Sequence, residues 1–571
     1  RRADPLCRNI PVPNPLLSFF NRPIIAACVL GNAGLFVGSW ALLWWDAEVG
    51  NVFQTTLLIA LGVWWRCLLF GTILAYGLFR FSLPLRRLIL SLLVAGSLIS
   101  LGLTTVSWKA AWQSPGNWPD PMVYSLGGFW LGESESDPQD VRFPGSDRVA
   151  KMRGIRAVIW VHFCSMLPWS VWIMGLAIRG NQGRTEDLYR MEYRGWWWRA
   201  LQSRWIAASL ILGLWILAMS MSEIAASDIF YVRTYAEEIY LGFPLGDSFS
   251  LNPLRQNAPT RFPWHLHLLA ITSTGLALGQ ALGAFSSKWL HTPWVPDRQM
   301  SLGKWRWPLS LAFLGFLLFC TLIPLWDLTR EVGTTVLITQ QNAQPVWQWS
   351  HAFQQWLDIP FRLSHEIFWS LMISVGATGS TFFISQCAAW KSILSKRFRW
   401  IAFLLVGFLW SIPAPLIGVL CLRAVDFLNW EWLHRLANQS LALPVLSLCL
   451  YLLPLSFALS FIICRRTPSL LIDQSQLEYS SNLLRWYQTA FRPQILWQIA
   501  LIWFLFVISF SDIAATNLVL PAGTDTIARR LLGLVHAGVD DQVAAASIWN
   551  YGISAILAAT FFYFFSDKGE M

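Results

Sequence analysis

Apolar residues fall into blocks of about 20 along this chain, and shorter polar segments separate the blocks. A helix of about 20 residues crosses the roughly 30 Å of hydrocarbon in a membrane. The pattern therefore predicts an all-α, polytopic membrane protein with about 12 transmembrane helices. The predicted spans are residues 24–45, 54–79, 85–106, 156–179, 206–225, 264–286, 307–326, 366–389, 400–421, 441–464, 495–510 and 547–565.

Composition agrees with this class. Only 13% of the residues are charged, whereas a soluble domain carries about 25%. Tryptophan occurs 36 times, and many copies, such as Trp108 and Trp326, lie where an apolar block meets a polar loop. Such positions are typical of an aromatic belt at the headgroup level.

The distribution of basic residues predicts the orientation. With the N-terminus inside, 26 of the 42 Lys and Arg fall in inside segments, as the positive-inside rule requires. Both termini are then cytoplasmic, and the basic net charge needs no nucleic-acid partner. The first block has no small-residue cleavage site behind it, so a retained helix is expected rather than a signal peptide.

A local repeat divides the chain into two halves. Ser222–Ser227 matches Ser511–Thr516 at an offset of 289 residues, and Trp197 matches Trp486 at the same offset. Six spans per copy keep the two copies parallel in the membrane. The predicted organisation is a cytoplasmic tail, a six-span unit, a cytoplasmic linker and a second six-span unit, at residues 1–22, 23–290, 291–306 and 307–571.

Each half has a long inside segment before its fifth span, Gly180–Trp205 and Arg465–Gln494. Both mix charged and aromatic residues at helical spacing, which indicates a short amphipathic helix at the membrane face. Such a helix contacts either a partner protein or lipid alone.

Catalytic motifs are missing from the sequence. Gly303-Lys304 is followed by Trp305, and no Gly-x-x-x-x-Gly-Lys-Ser/Thr loop occurs, so we expect no ATP hydrolysis by this chain alone. No Ser-His-Asp pattern or metal-ligand spacing is present either. We therefore predict no catalytic residue, no metal site and no cofactor.

Three ionisable residues in or near spans are candidates for function, because charge in a membrane is costly. Arg66 lies within the second span, where it either pairs with an acid or snorkels towards water. Glu223 and Asp512 occupy equivalent repeat positions at the outer ends of the two fifth spans. They either attract a cation or a substrate-delivery protein, or simply cap the helix ends in water.

Three stretches resemble a known family: Asn51–Arg80, Arg179–Ala226, and Ser511–Gly538 running into Val543–Ala546. In these stretches the chain looks like a bacterial ABC-importer permease of the ferric-iron, thiamine and aminoethylphosphonate group, with two permease domains fused. The resemblance implies a pore in the bacterial cytoplasmic membrane. A periplasmic binding protein would deliver the substrate, and a separate cytoplasmic ATPase, expected as a dimer, would bind ATP. Within this family, the fusion of two permease domains in one chain favours ferric iron or a related small solute as the transported substrate.

In this family the inside loop before the fifth span carries Glu-Ala-Ala, three residues and Gly, and it docks into the ATPase. The resemblance assigns this docking role to Glu186, Asp187, Leu188, Gly195, Leu477, Glu478 and Ser480. The chain departs from the motif, since Tyr189-Arg190-Met191 replaces Glu-Ala-Ala in the first loop. In the second loop, Ser480 stands at the glycine position and Gln474 at the acid position.

Two other functions stay open. A degenerate permease that acts as a membrane scaffold or sensor is compatible with the altered loops. A membrane-embedded lipid-handling enzyme is compatible with the long outside loops 107–155 and 226–263. The first of these loops carries Glu133, Glu135, Asp137 and Asp140.

Overall fold

The structure is a computed structural model that describes residues 47–113, 154–179, 196–242, 275, 302–339, 342–478 and 481–566. Nearly all of these residues are helical, which confirms the predicted helical class. The elements are α1 (Ala47–Arg80), α2 (Arg86–Leu98), α3 (Leu101–Gln113), α4 (Ile155–Arg179), α5 (Trp196–Ser220), α6 (Ala225–Ile229), α7 (Tyr235–Gly242), α8 (Arg306–Gly333), β1 (Thr334–Thr339), β2 (Asn342–Trp347), α9 (Trp349–Arg362), α10 (Ser364–Leu394), α11 (Lys396–Ser411), α12 (Ala414–Leu428), α13 (Glu431–Gln439), α14 (Ala442–Arg465), α15 (Ser469–Glu478), α16 (Asn482–Trp486), α17 (Ile495–Phe510), α18 (Ile527–His536) and α19 (Asp540–Ser566).

Within the described ranges, six helical segments are long and apolar enough to cross a membrane, or up to eight if each of two bent helix pairs is one span. The six include α1, α4, α8, α10 and α14, and the last runs from Asn482 to Phe510. The protein is therefore membrane-embedded and multi-pass. The predicted span 24–45 lies outside the described residues, as does 264–286 apart from Gly275, and the count of twelve stays a prediction.

Two predicted spans are not continuous helices. The chain bends by 102° between α2 and α3, inside the predicted span 85–106, and by 101° between α11 and α12, inside 400–421. Ile412 adopts an extended conformation, which is favoured before Pro413. At the first bend, Ile99 is extended and the Ser100 hydroxyl accepts a hydrogen bond from the N–H of Leu103 at 3.3 Å, as an N-cap does.

The fifth span of the first half ends earlier than expected, whereas that of the second half ends where it was predicted to end. Helix α5 ends at Ser220 rather than at residue 225. Helix α17 spans Ile495–Phe510, the same residues as the predicted span, so Asp512 lies beyond the end of the helix. Hydroxyl side chains at these ends bond back to carbonyls of the last turn, as Ser222 does to Ala218 at 2.9 Å, and so compete with further helical hydrogen bonds.

A β-hairpin and an amphipathic helix follow α8, and the sequence pattern did not predict either of them. Strands β1 and β2 pair antiparallel, with Thr334 opposite Trp347 and Thr339 opposite Asn342. The run Thr-Thr-Val-Leu-Ile-Thr in β1 is rich in β-branched residues, which favour strands. This short sheet is the exception to an otherwise helical fold among the described residues.

The same order of helices occurs twice. Helices α1, α2–α3, α4 and α5 correspond to α10, α11–α12, α14 and α17, and each set contains one sharply bent pair. Helix α1 packs along α4, and α10 packs along α14. Pro168 and Pro454 lie inside the matching helices α4 and α14. This duplication places four interruptions of helix at corresponding points of the fold.

Candidate functional site at the meeting point of four helix breaks

All four interruptions line one cavity of about 180 Å³. Ile99–Ser100 and Ile412 come from the two bends, and Ser222–Ala225 and Ser511–Ala514 come from the two loops that follow the fifth spans. Helices α4, α14, α18 and α19 complete the wall. Both copies of the sequence repeat therefore lie on the same cavity.

The first repeat loop is held by its own polar side chains. The Glu223 carboxylate accepts a hydrogen bond from the N–H of Ala225 at 3.0 Å, and Ala225 is the first residue of the short helix α6. The Ser222 hydroxyl accepts a hydrogen bond from the N–H of Ala414 at 3.3 Å. The second contact ties the loop of one half to the bent pair of the other half.

The second repeat loop is held in a related way. The Asp512 carboxylate accepts a hydrogen bond from the N–H of Ala515 at 3.1 Å. The Ala515 carbonyl accepts one from the Ser447 hydroxyl at 2.7 Å. A Cβ on Gly418 would lie 3.3 Å from that carbonyl, so the close approach of α12 to this loop requires a very small residue.

Each bent pair contacts both loops. In α12, Ala414 bonds to the first loop and Gly418 abuts the second. In α3, a Cβ on Gly102 would lie 3.6 Å from Ala225 and 3.8 Å from Ile513. Residues of both halves therefore contact one another around the cavity.

The cavity is lined by two acidic side chains and by no basic one among the described residues. Glu223 and Asp512 are the charged residues among those that line it, and the two carboxylates interact electrostatically. Neither forms an ion pair with a Lys, Arg or His of the described residues. From the sequence, Glu223 and Asp512 were expected either to attract a cation or a substrate-delivery protein, or to cap the helix ends in water. In the structure both carboxylates accept hydrogen bonds from backbone N–H groups, and both line this shared cavity.

Aromatic side chains form one wall. The rings of Trp215 and Trp410 lie edge to face with centroids 4.6 Å apart, and Trp169 lies 5.2 Å from Trp215. The hydroxyl of Tyr451 lies 3.9 Å from the Met219 sulfur. Since these residues come from α4, α5, α11 and α14, the wall joins the two halves.

Among the other predicted residues, Arg66, Leu477 and Glu478 are described by the structure, and none of the three lines this cavity. Arg66 donates to the carbonyl of Gly62 in its own helix at 2.9 Å and pairs with no acid among the described residues. Leu477 and Glu478 lie at the end of α15, where Leu477 is 90% exposed. Glu186, Asp187, Leu188, Gly195 and Ser480 lie outside the described residues, as do Glu133, Glu135, Asp137 and Asp140 of the enzyme hypothesis.

The predicted amphipathic helix of the second inside segment is divided. Helix α15 ends at Glu478, α16 begins at Asn482, and a π-helical turn follows over Tyr487–Phe491. Its apolar residues Leu477, Leu484 and Tyr487 are exposed rather than packed on the protein. The segment presents apolar surface outward, as a docking or lipid-contacting segment does.

Sequence reasoning missed Asn550, Tyr451 and the tryptophans of the cavity wall. Asn550 offered a signal, since it is a polar residue inside an apolar block and such residues often face a protein interior. The tryptophans offered none, because 36 of them occur in the chain.

Possible metal ligands do not cluster in the part of the chain that the structure describes, where no group of three or more His, Cys, Asp or Glu is placed to hold an ion. No protein-family model, curated protein or solved structure matches the chain. The cavity and its four helix breaks are therefore the observations that bear most directly on function.

Proposed function

We propose that this chain is the transmembrane permease subunit of an ATP-binding-cassette importer for a small solute. The observation that carries the proposal is the convergence of two bent helix pairs and two repeated loops on one cavity. The chain would form the pore, and a separate ATPase would drive it.

Broken helices are unusual in a membrane because their unpaired backbone groups are costly in lipid. They are tolerated where they line a cavity, and in transporters with internal repeats the substrate site lies at such breaks. Here all four breaks meet at the cavity rather than at the lipid surface. This arrangement favours a solute path between the two halves over a scaffold with a closed core.

An exposed apolar segment supports a protein partner. Leu470, Leu477 and Leu483 are all largely exposed in the segment that precedes α17. Exposed apolar surface is used in interaction sites, and the charge distribution of the sequence predicts that this segment is on the inside. The proposed partner is the cytoplasmic ATPase, which would bind and hydrolyse ATP.

The remaining features of the proposal follow from the sequence. They are twelve spans as two parallel sixes, both termini cytoplasmic, a location in the bacterial cytoplasmic membrane, and delivery of substrate by a periplasmic binding protein. Ferric iron is the cargo that the family resemblance favours, and the chemistry of the cavity bears on that choice below.

Co-purification tests the docking segment. Leu477→Glu places a charge on a residue that is 90% exposed, so the fold should persist while the ATPase is lost from the purified complex. Phe427→Glu is the matched control, because Phe427 is 87% exposed and lies in a predicted outside segment. If both variants retain the ATPase, or if both lose it, the docking assignment is wrong.

A further inference from the structure

The two cavity carboxylates lack a counter-charge in the described protein. Glu223 and Asp512 line the cavity without a Lys, Arg or His beside them. Each is held by a backbone N–H, at 3.0 and 3.1 Å respectively. Both residues are half-buried, and a carboxylate drawn partly out of water is costly unless a positive group compensates it. The site is therefore complementary to a positively charged ligand.

A second observation independently points to a ligand. Asn550 lines the same cavity and is 8% exposed, yet its side-chain amide makes no hydrogen bond with any described residue. The buried hydroxyl of Ser547, also in the lining, has no partner either. Buried polar groups are nearly always satisfied, so a ligand with hydrogen-bonding capacity would complete this wall.

The rest of the lining favours an organic cation over a metal ion. Trp169, Trp215, Trp410 and Tyr451 bring aromatic rings to the cavity, and such rings attract ammonium groups. Hard metal ions require about six oxygen ligands. Besides two carboxylates, the lining supplies only neutral hydroxyl, amide and backbone oxygens, and the described residues hold no group of three or more His, Cys, Asp or Glu placed to bind a metal ion.

Cavity size limits the ligand. The volume is about 180 Å³, and an apolar protein cavity of about 150 Å³ holds one benzene molecule. A ligand of roughly six to ten non-hydrogen atoms fits on this scale.

We propose that this cavity binds a small organic cation. Its ammonium group would lie between Glu223 and Asp512, Asn550 would accept a hydrogen bond from it, and its apolar part would pack against Trp215 and Trp410. That this ligand is the cargo of the pore rests on the proposed function. Binding itself requires neither the ATPase nor a delivery protein.

Isothermal titration of the full chain in lipid nanodiscs tests the proposal. Benzylamine is the probe, and benzyl alcohol is its neutral counterpart of nearly the same shape. Benzylamine should bind saturably and at least about tenfold more tightly than benzyl alcohol, since charge-assisted hydrogen bonds are the stronger ones. Equal affinities would overturn the proposal without any variant being needed.

Variants locate the binding. Glu223→Gln and Asp512→Asn keep an oxygen for the backbone cap and remove the charge, so each should weaken benzylamine binding at least about tenfold. Asp473→Asn, at an exposed position in α15, is the control and should bind as the unmodified chain does. Unchanged affinity in both cavity variants contradicts the proposal.

A parallel titration with Mn²⁺ distinguishes binding of a metal ion from binding of an organic cation. If Mn²⁺ binds in a Glu223- and Asp512-dependent way while benzylamine does not, the cavity is a metal site and the organic-cation proposal fails. If benzylamine binds as expected while the Leu477→Glu test shows no ATPase docking, the binding site stands and the importer assignment falls.

Discussion

A buried amide network joins three helices of the second half, and it allows a quantitative test of the fold. The Gln386 amide in α10 donates to the Gln498 carbonyl oxygen in α17 at 2.6 Å and to the Ser460 hydroxyl in α14 at 3.1 Å. The Gln386 carbonyl oxygen accepts from the Cys464 thiol at 3.4 Å. All four residues are buried, so a side chain that loses its partner here has no water to replace it.

Gln386→Leu retains most of the side-chain volume and removes both short hydrogen bonds. Interhelical hydrogen bonds in membrane proteins contribute about 0.6–1.7 kcal/mol each. We therefore expect the free energy of unfolding to fall by about 1–3 kcal/mol. Gln386→Leu combined with Gln498→Leu should cost less than the sum of the single variants, with a coupling energy of about 0.5–3 kcal/mol, because the second change removes an amide that the first had already left unpaired.

Unfolding by SDS in mixed micelles, followed by circular dichroism, measures these differences. Gln354→Leu is the control, since Gln354 is exposed in α9 and surface changes usually alter stability by less than about 0.5 kcal/mol. Unchanged stability in Gln386→Leu, or strictly additive losses in the double variant, would refute the reasoning that this network holds α10, α14 and α17 together.

Two further predictions concern contacts between helices. Gly71→Ala should lower the melting temperature in detergent, because the new Cβ would clash with the Ser170 hydroxyl where α1 meets α4. Gly379→Ala is the control, since a Cβ at that position has open space around it. Equal melting temperatures of the two variants would contradict this packing. The Nε2 atom of His536 lies 3.2 Å from the Asp228 carboxylate. A backbone carbonyl of its own helix, and to a smaller extent the Asp228 carboxylate, raise the pKa of His536. The resulting stabilisation is present at pH values below the unfolded pKa and is lost as pH rises through the higher folded pKa. Because His536 is exposed, this contribution to the free energy of unfolding stays below about 1 kcal/mol. In Asp228→Asn, thermal stability should depend less on pH in this range.

The long spans were predictable from the sequence alone. Residues 54–79 lie within α1, and 156–179 coincides with α4 to within one residue. An uninterrupted apolar block of sufficient length leaves the backbone no alternative to a helix in lipid. Length and hydropathy therefore determine these elements, whatever their neighbours are.

The bends were less predictable, and for two different reasons. Ile412-Pro413 carried a readable signal, since the residue before proline avoids helical geometry. Ile99-Ser100 carried almost none, because a single serine within an apolar run barely changes the hydropathy of the block. The turn there depends on tertiary contacts such as that of Gly102 with Ala225 and Ile513, which no local pattern encodes.

The repeat pointed to the cavity more directly than any chemical motif did, and the reason is geometric. In two parallel copies related by an axis along the membrane normal, equivalent residues lie at the same depth and at the same distance from that axis. Glu223 and Asp512 are equivalent residues, and their carboxylates are close enough to interact electrostatically. The proposed parallel arrangement would therefore place each of them near the axis, and a solute path between the halves would run along it. Acidic residues at equivalent positions of two repeats in a membrane protein thus indicate where a site lies as well as which chemistry it has.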